Sequence, residues 1–451
     1  MDNNINDLNR ILQDAVFDIH NLDEYYNNLL DYVNEYTKKE YPKYYSGIVL
    51  SRFFVSKMNE EAEISITEKE KSIVDSLVEK WNVQYENGDK SISYIYKDGL
   101  SDDKKIDPTY AMRKGIALLN QRNVLGDSMI IMLLMNYETV ISNIFELLIY
   151  KFPNILDEKS LTYSEIIGFK SDLDEIKRIL VNRELDEFMR KSLKDWYVYF
   201  KSKHGVDVLS DCTIFDEFRE IYYRRNIVVH NQGLVNEIYL KEVSSNCKIG
   251  DRLFIDKNYF EKAVSKTLIM IYHTIWHIRK KFNDDDSALT NYMFNQGYDY
   301  MVNKRWEVSA YIFKTIMCNI SHEEYDKLCC RVNYWVSIKN IDGIDAIKTE
   351  VENFDVSAKN EIFLATKYAL LDDFKNLSNI LDKLINKSIP ANYIKEWPLF
   401  LQYRDTQEYT DFVKRHINDF NEAKFDSDNE TMGSNEDIIN ELGIDLSQMK
   451  G

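Results

Sequence analysis

Glycine and proline are scarce, with 14 Gly and 5 Pro in 451 residues. That excludes a turn-rich sheet protein and favours long helices. Cysteine is scarce as well. Cys212, Cys247, Cys318, Cys329 and Cys330 form no CxxC pair, and their number is odd. A disulfide framework is therefore excluded, and free thiols in a reducing cytoplasm are expected. No apolar run reaches the ~20 residues that span a bilayer. The longest, 129–135, is followed by Asn136 and Glu138. The opening MDNNINDLNR is polar and acidic, so no signal peptide is expected. Positive charge is also short, with 57 Lys and Arg against 75 Asp and Glu and a net charge of −18. Such a chain is not a general nucleic-acid binder, so an RNA ligand would need a local basic surface. No GxxxxGK[ST] or GxGxxG occurs, so nothing supports nucleotide hydrolysis.

What is present is apolar and aromatic. The chain is 44% hydrophobic and holds 31 Tyr and 22 Phe. It can fold into more than one globular unit with large aromatic cores or interfaces. The expected class is mainly α. Residues 1–110 read as an N-terminal helical region, with Ile11, Ala15, Val16, Ile19 and Leu22 in a stripe that Tyr25, Leu29, Leu30 and Tyr32 continue. Ser65-Ile66-Thr67-Glu68-Lys69-Glu70 offers a capping start for a helix to about residue 81, and 91–96 alternates like a short strand. Asp127 is placed to cap a helix that Pro153 ends. Its stripe is Tyr137, Val140, Ile141, Ile144, Phe145 and Leu148. Glu138 is the lone carboxylate in its middle and either holds a basic partner or faces water. The stretch 170–205 is rich in Lys and Arg, but neighbouring Asp and Glu balance most of them.

The densest chemistry lies in 222–240, YYRRNIVVHNQGLVNEIYL. Arg225, Asn226 and His230 surround the apolar Ile227, Val228 and Val229. A buried segment needs no doubled Arg, and a solvated face would not carry three β-branched residues. Arg225 is a permanent cation whose planar fork matches phosphate oxygens. His230 exchanges a proton near neutral pH, and Asn226 can orient a phosphate oxygen or the ring. Such a set suits RNA cleavage without a metal, leaving a 2′,3′-cyclic phosphate and a 5′-hydroxyl. On an ideal helix the five residues from Arg225 to His230 turn ~140° and advance ~7.5 Å. The two side chains would point apart. Either the helix breaks here, or two copies of the chain complete one site across a two-fold axis.

Arg225-Asn226-Ile227-Val228-Val229-His230 resembles the Arg-x4-His motif of HEPN-domain ribonucleases, including the polar residue after the Arg. The following Asn231-Gln232-Gly233-Leu234-Val235-Asn236 resembles how several bacterial branches of that family continue. The resemblance covers about 125–282. It implies a HEPN-like helical bundle at 111–282 that dimerises, with both motif copies facing one cleft. It further implies metal-independent endoribonuclease activity in antiphage defence or a toxin system. Arg225, Asn226 and His230 would be catalytic, with Arg224 and Asn231 binding substrate, and no cofactor or metal is expected. The alternative is a non-catalytic HEPN dimerisation scaffold whose repeat domain binds a protein partner.

Downstream, 235–243 and 252–255 flank Gly250-Asp251 in a hairpin-like pattern, and Asp256 is placed to cap a helix over about 257–282. His273 and His277 on that helix share one face, a metal-like spacing, but no third ligand stands out. A packed or solvent-facing pair is expected. NDDDS at 283–287 reads as a linker. Beyond it, Gly297, Tyr300, Trp306 and Phe313 resemble the tetratricopeptide pattern, and helical hairpins recur through 288–416. An α-solenoid-like stack there would offer a surface to a protein partner or trigger. Residues 417–451 form an acidic tail expected to be disordered. Taken together, the expectation is a cytoplasmic homodimer acting on RNA, with no membrane association.

Overall fold

The computed structural model describes residues 3–58, 66–86, 91–96, 108–158, 160–164, 172–243, 246–282, 287–319, 324–356, 361–385, 387–417 and 420. The described residues are mainly α. The chain divides into two compact units, residues 1–283 and 284–451. The regions 1–110 and 111–282, separated above on sequence grounds, lie in the same unit. The acidic tail falls outside the described residues beyond 420.

The first unit is built on long helices. Helix α1 (Asn3–Met58) buries Leu12, Ala15, Val16, Ile19, Leu22, Tyr26 and Leu30 along one stripe. Tyr25 and Tyr32 do not continue it, because they lie on the solvent side at 53% and 64% exposure. Helix α2 (Glu68–Lys80) starts as its sequence predicts. The Glu70 amide donates to Thr67 Oγ1 at 3.3 Å, and the Thr67 amide donates to Glu70 at 2.9 Å, closing a capping box. Arg52 on α1 pairs with the same carboxylate at 2.6 Å. Strands β1 (Trp81–Glu86) and β2 (Ser91–Tyr96) then pair antiparallel.

Helix α3 (Pro108–Lys151) is the axis of this unit and packs against α1. Asp127 does not cap it, since the helix begins at Pro108 and runs through that residue. Packing over two faces outweighs a local capping preference here. Pro153 does end it, opening a 3-10 turn (Pro153–Glu158). By length and composition α3 is apolar enough to cross a membrane, and 44% of its most apolar window is buried within the unit. Tyr137, Val140, Ile141, Ile144, Phe145 and Leu148 are all buried, whereas Met132 and Met135 are 45% and 56% exposed.

Helices α4 (Leu173–Met189) and α5 (Leu193–His204) are capped by Asp172 and Ser192. Phe188 stacks on Phe145 of α3 with ring centroids 3.9 Å apart. Next come α6 (Phe215–Asn231), the short α7 (Glu237–Glu242) and α8 (Lys257–Lys281). Asp256 caps α8 by accepting from the Tyr259 amide at 2.8 Å. Phe260, Val264, Leu268, Ile271, Tyr272 and Ile275 form its buried stripe. The hairpin-like reading of 235–255 holds only in part. Leu234 and Arg252 form an antiparallel bridge, but the chain between them coils into α7 because the Asn236 side chain caps a helical turn there.

The second unit is a succession of helices. Helix α9 (Ser287–Val302) meets α10 (Trp306–Asn319), and α11 (Glu324–Asp342) is followed by α12 (Lys348–Glu352). Helices α13 (Glu361–Leu370) and α14 (Phe374–Leu384) pair in turn. Three short helices, α15 (Ala391–Glu396), α16 (Leu401–Arg404) and α17 (Gln407–Arg415), complete the unit. Gly297 lets α9 and α10 approach closely, since a Cβ there would lie 3.0 Å from Ile312 and 3.1 Å from Phe313. Ser309 is buried, and Ser337 of α11 donates to its hydroxyl at 3.0 Å.

Candidate functional site

Helix α6 carries the motif. Asp216 and Glu217 occupy its first turn, where the helix dipole favours acidic side chains. Phe218, Ile221, Tyr222 and Ile227 bury its inner face. The helix runs unbroken past both Arg225 and His230 and ends only at Asn231. Gln232 and Gly233 then take left-handed φ values of 54° and 77°. The Gly233 amide donates to the Ile227 carbonyl at 3.0 Å, which closes the helix end.

The two arginines diverge, as neighbours ~100° apart on a helix must. Arg224 Nε donates to Glu220 at 2.8 Å, and its guanidinium lies 4.1 Å from the Tyr259 ring centre. Tyr239 and Tyr259 donate to the same Glu220 carboxylate at 2.6 and 2.8 Å. Burial, reinforced by Glu220, raises both phenols above their ordinary range, so they remain donors. Arg224 thus joins α6, α7 and α8 in a polar cluster directed away from Arg225.

Arg225 instead reaches α3. Its Nη2 donates to Glu138, and its guanidinium sits 4.8 Å from the Tyr222 ring centre. The Tyr222 hydroxyl donates to the same Glu138 oxygen at 3.2 Å. Arg225 Nε is buried and has no hydrogen-bond partner among the described residues. Asn226 is half-buried, and His230 is exposed in the last turn of the helix. Asn231 Nδ2 donates to the Leu234 carbonyl at 2.6 Å, tightening the turn after the helix. The chain therefore holds Arg225, Asn226 and His230 on one helix without bringing Arg225 and His230 together. Arg224 and Asn231 each have partners in the fold.

Sequence reasoning left Glu138 undecided, and the fold makes it the carboxylate that fixes Arg225. The signal was there, a carboxylate in the middle of an apolar helix, but its partner lies 87 residues away. The His273 and His277 pair also changes in meaning. Both rings face Asp211, and the three side chains place one ligand atom each within 4.8 Å of one another. Only folding brings in that third group.

No family model matches this chain, and it has no match among curated proteins or solved structures.

Proposed function

We propose that the protein is a metal-independent endoribonuclease of the HEPN type, acting as a homodimer in antiphage defence or a toxin system. The observation that carries this reading is the unbroken helix through Arg225, Asn226 and His230. With no break, the two side chains diverge by ~140° and ~7.5 Å, so one site needs motif copies from two chains. Exposed Met132 and Met135, on the turns of α3 before Glu138, supply apolar surface for such a contact.

In that shared cleft Arg225 stabilises the crowded phosphorane, and Glu138 and Tyr222 hold its guanidinium in one orientation. His230 takes the ribose 2′-hydroxyl proton or gives a proton to the departing 5′-oxygen. The 2′-oxygen bonds to phosphorus as the bond to the 5′-oxygen breaks. The products are a 2′,3′-cyclic phosphate and a 5′-hydroxyl. Asn226 positions the phosphate or the ring. The second unit, read as a repeat-like stack, restrains the nuclease or receives a partner.

One observation favours a second reading, a dimerisation scaffold without catalysis. The Arg225–Glu138 pair can serve packing alone, because it neutralises the cation inside the bundle. The deciding experiment incubates wild-type and His230→Ala protein with total cellular RNA in buffer free of divalent cations, then maps the cut ends. Near-ultraviolet circular dichroism confirms that both are folded. Cleavage by wild type alone, at cyclic-phosphate ends, supports the nuclease. Equal cleavage by His230→Ala rejects the assignment.

A further inference from the structure

We propose that Asp211, His273 and His277 form a binding site for one divalent transition-metal ion, of the zinc, cobalt or nickel class. This goes beyond RNA cleavage and does not depend on it. The ligand atoms come from two elements. His273 and His277 stand one turn apart on α8, and Asp211 lies in the segment that leads into α6. His277 Nε2 is 3.1 Å from Asp211 Oδ1, and His273 Nε2 is 3.7 Å from the same oxygen. Ligand–metal bonds of ~2.0–2.2 Å put neighbouring ligand atoms roughly 3.0–3.5 Å apart. One spacing falls inside that range, the other lies just above it, and all three ligand atoms lie within 4.8 Å of one another, so side-chain adjustment closes the triad on an ion.

A backbone carbonyl holds one of these nitrogens in the unbound protein. The Val208 carbonyl oxygen lies 2.7 Å from His273 Nε2. With no ion bound, that nitrogen carries its proton and donates to the carbonyl. On binding an ion, that hydrogen bond breaks and the neutral ring takes the Nδ1–H tautomer, which leaves the Nε2 lone pair for the ion. Two imidazoles with oxygen donors suit zinc, cobalt or nickel better than the all-oxygen preference of calcium or magnesium. The site is also shaped for entry. His273 and His277 side chains are only 4% and 12% exposed, whereas Asp211 is 66% exposed, so the carboxylate is the solvent-facing ligand. Cys212 is the neighbouring soft donor, but its sulfur contacts Met270 Sδ at 3.6 Å instead. An ion held here ties the approach to the motif helix onto α8.

The test uses the full-length protein without a histidine tag, stripped with chelator and dialysed. Zinc and cobalt chlorides are titrated by calorimetry, and the cobalt form is read by visible absorption. One ion per chain is expected, with cobalt d–d bands but no thiolate charge-transfer band. Melting temperature should rise with the logarithm of free metal, as binding to the folded state alone requires. Asp211→Asn should weaken binding by at least about tenfold, since even supporting partners of metal ligands contribute 10–100-fold. Its exposed side chain leaves the fold intact, which circular dichroism checks. His277→Gln should abolish stoichiometric binding, and His416→Gln in the second unit should leave it unchanged. No saturable binding at one ion per chain overturns the proposal. So does binding that survives both Asp211→Asn and His277→Gln, and so does a thiolate band.

Discussion

Glu220 accepts from side chains of α6, α7 and α8, and its removal is a sharp test of how α6 is held. Glu220→Ala deletes the acceptor for Arg224 Nε, Tyr239 and Tyr259 at 2.8, 2.6 and 2.8 Å. Tyr239 is buried, and the Arg224 side chain is only 15% exposed. Each buried donor left unpaired costs ~1–3 kcal/mol, and breaking a buried ion pair by removing one partner costs ~3–5 kcal/mol. These terms overlap, and partial solvent access reduces them, so the net loss should be about 3–5 kcal/mol. Hydrogen exchange measured against urea concentration reads the opening free energy of peptides from α6 and α7. Glu220→Gln, which keeps an acceptor oxygen, should lose about half as much. A loss below ~1 kcal/mol for Glu220→Ala would mean the cluster is a surface feature of no consequence, and the account of Arg224 as a structural residue would fall.

Three further outcomes follow from the same structure. Buried His204 has its basicity lowered to about 4, chiefly by burial and then by Lys281. Its unfolded form therefore binds more protons between pH 6.5 and 4, so stability should fall by up to ~3 kcal/mol as pH drops through that window. His204→Phe should remove this component; parallel stability–pH curves for the two proteins would reject it. Gly126→Ala places a Cβ 2.3 Å from the Ile255 carbonyl oxygen, and overpacking of this kind should destabilise the protein by about 2–3 kcal/mol in urea unfolding. An unchanged midpoint would show that α3 and the segment before α8 are not in contact. On the proposed nuclease reading, Glu138→Gln releases the Arg225 guanidinium without removing it, so RNA cleavage should fall by about 100-fold with the fold intact. Undiminished cleavage would separate Arg225's ion pair from the proposed chemistry.

Local signals carried the elements well. Thr67 with Glu70, Asp256, and Pro153 mark helix ends through groups within a few residues, so their meaning survives without knowledge of the fold. The buried stripes of α3 and α8 follow from 3.6-residue periodicity for the same reason. Asp127 shows where such reasoning stops. A good capping residue sits inside α3 because tertiary packing extends the helix back to Pro108. Tyr25 and Tyr32 show it again, since aromatic residues at near-helical spacing still face solvent when the stripe rotates past them.

What the sequence determined by itself is the helical class, a few helix ends marked by local caps or proline, and the presence of the Arg-Asn-His constellation; the structure decided that one unbroken helix carries it. Tertiary structure decided the partners. It assigned Arg225 to Glu138, Arg224 to Glu220, and Asp211 to His273 and His277. Capping and periodicity act through neighbours along the chain. Ion pairs and candidate ligand sets form between segments whose approach depends on how every helix between them packs. Two adjacent arginines are chemically alike on paper, and only the face of α6 each one occupies separates their roles.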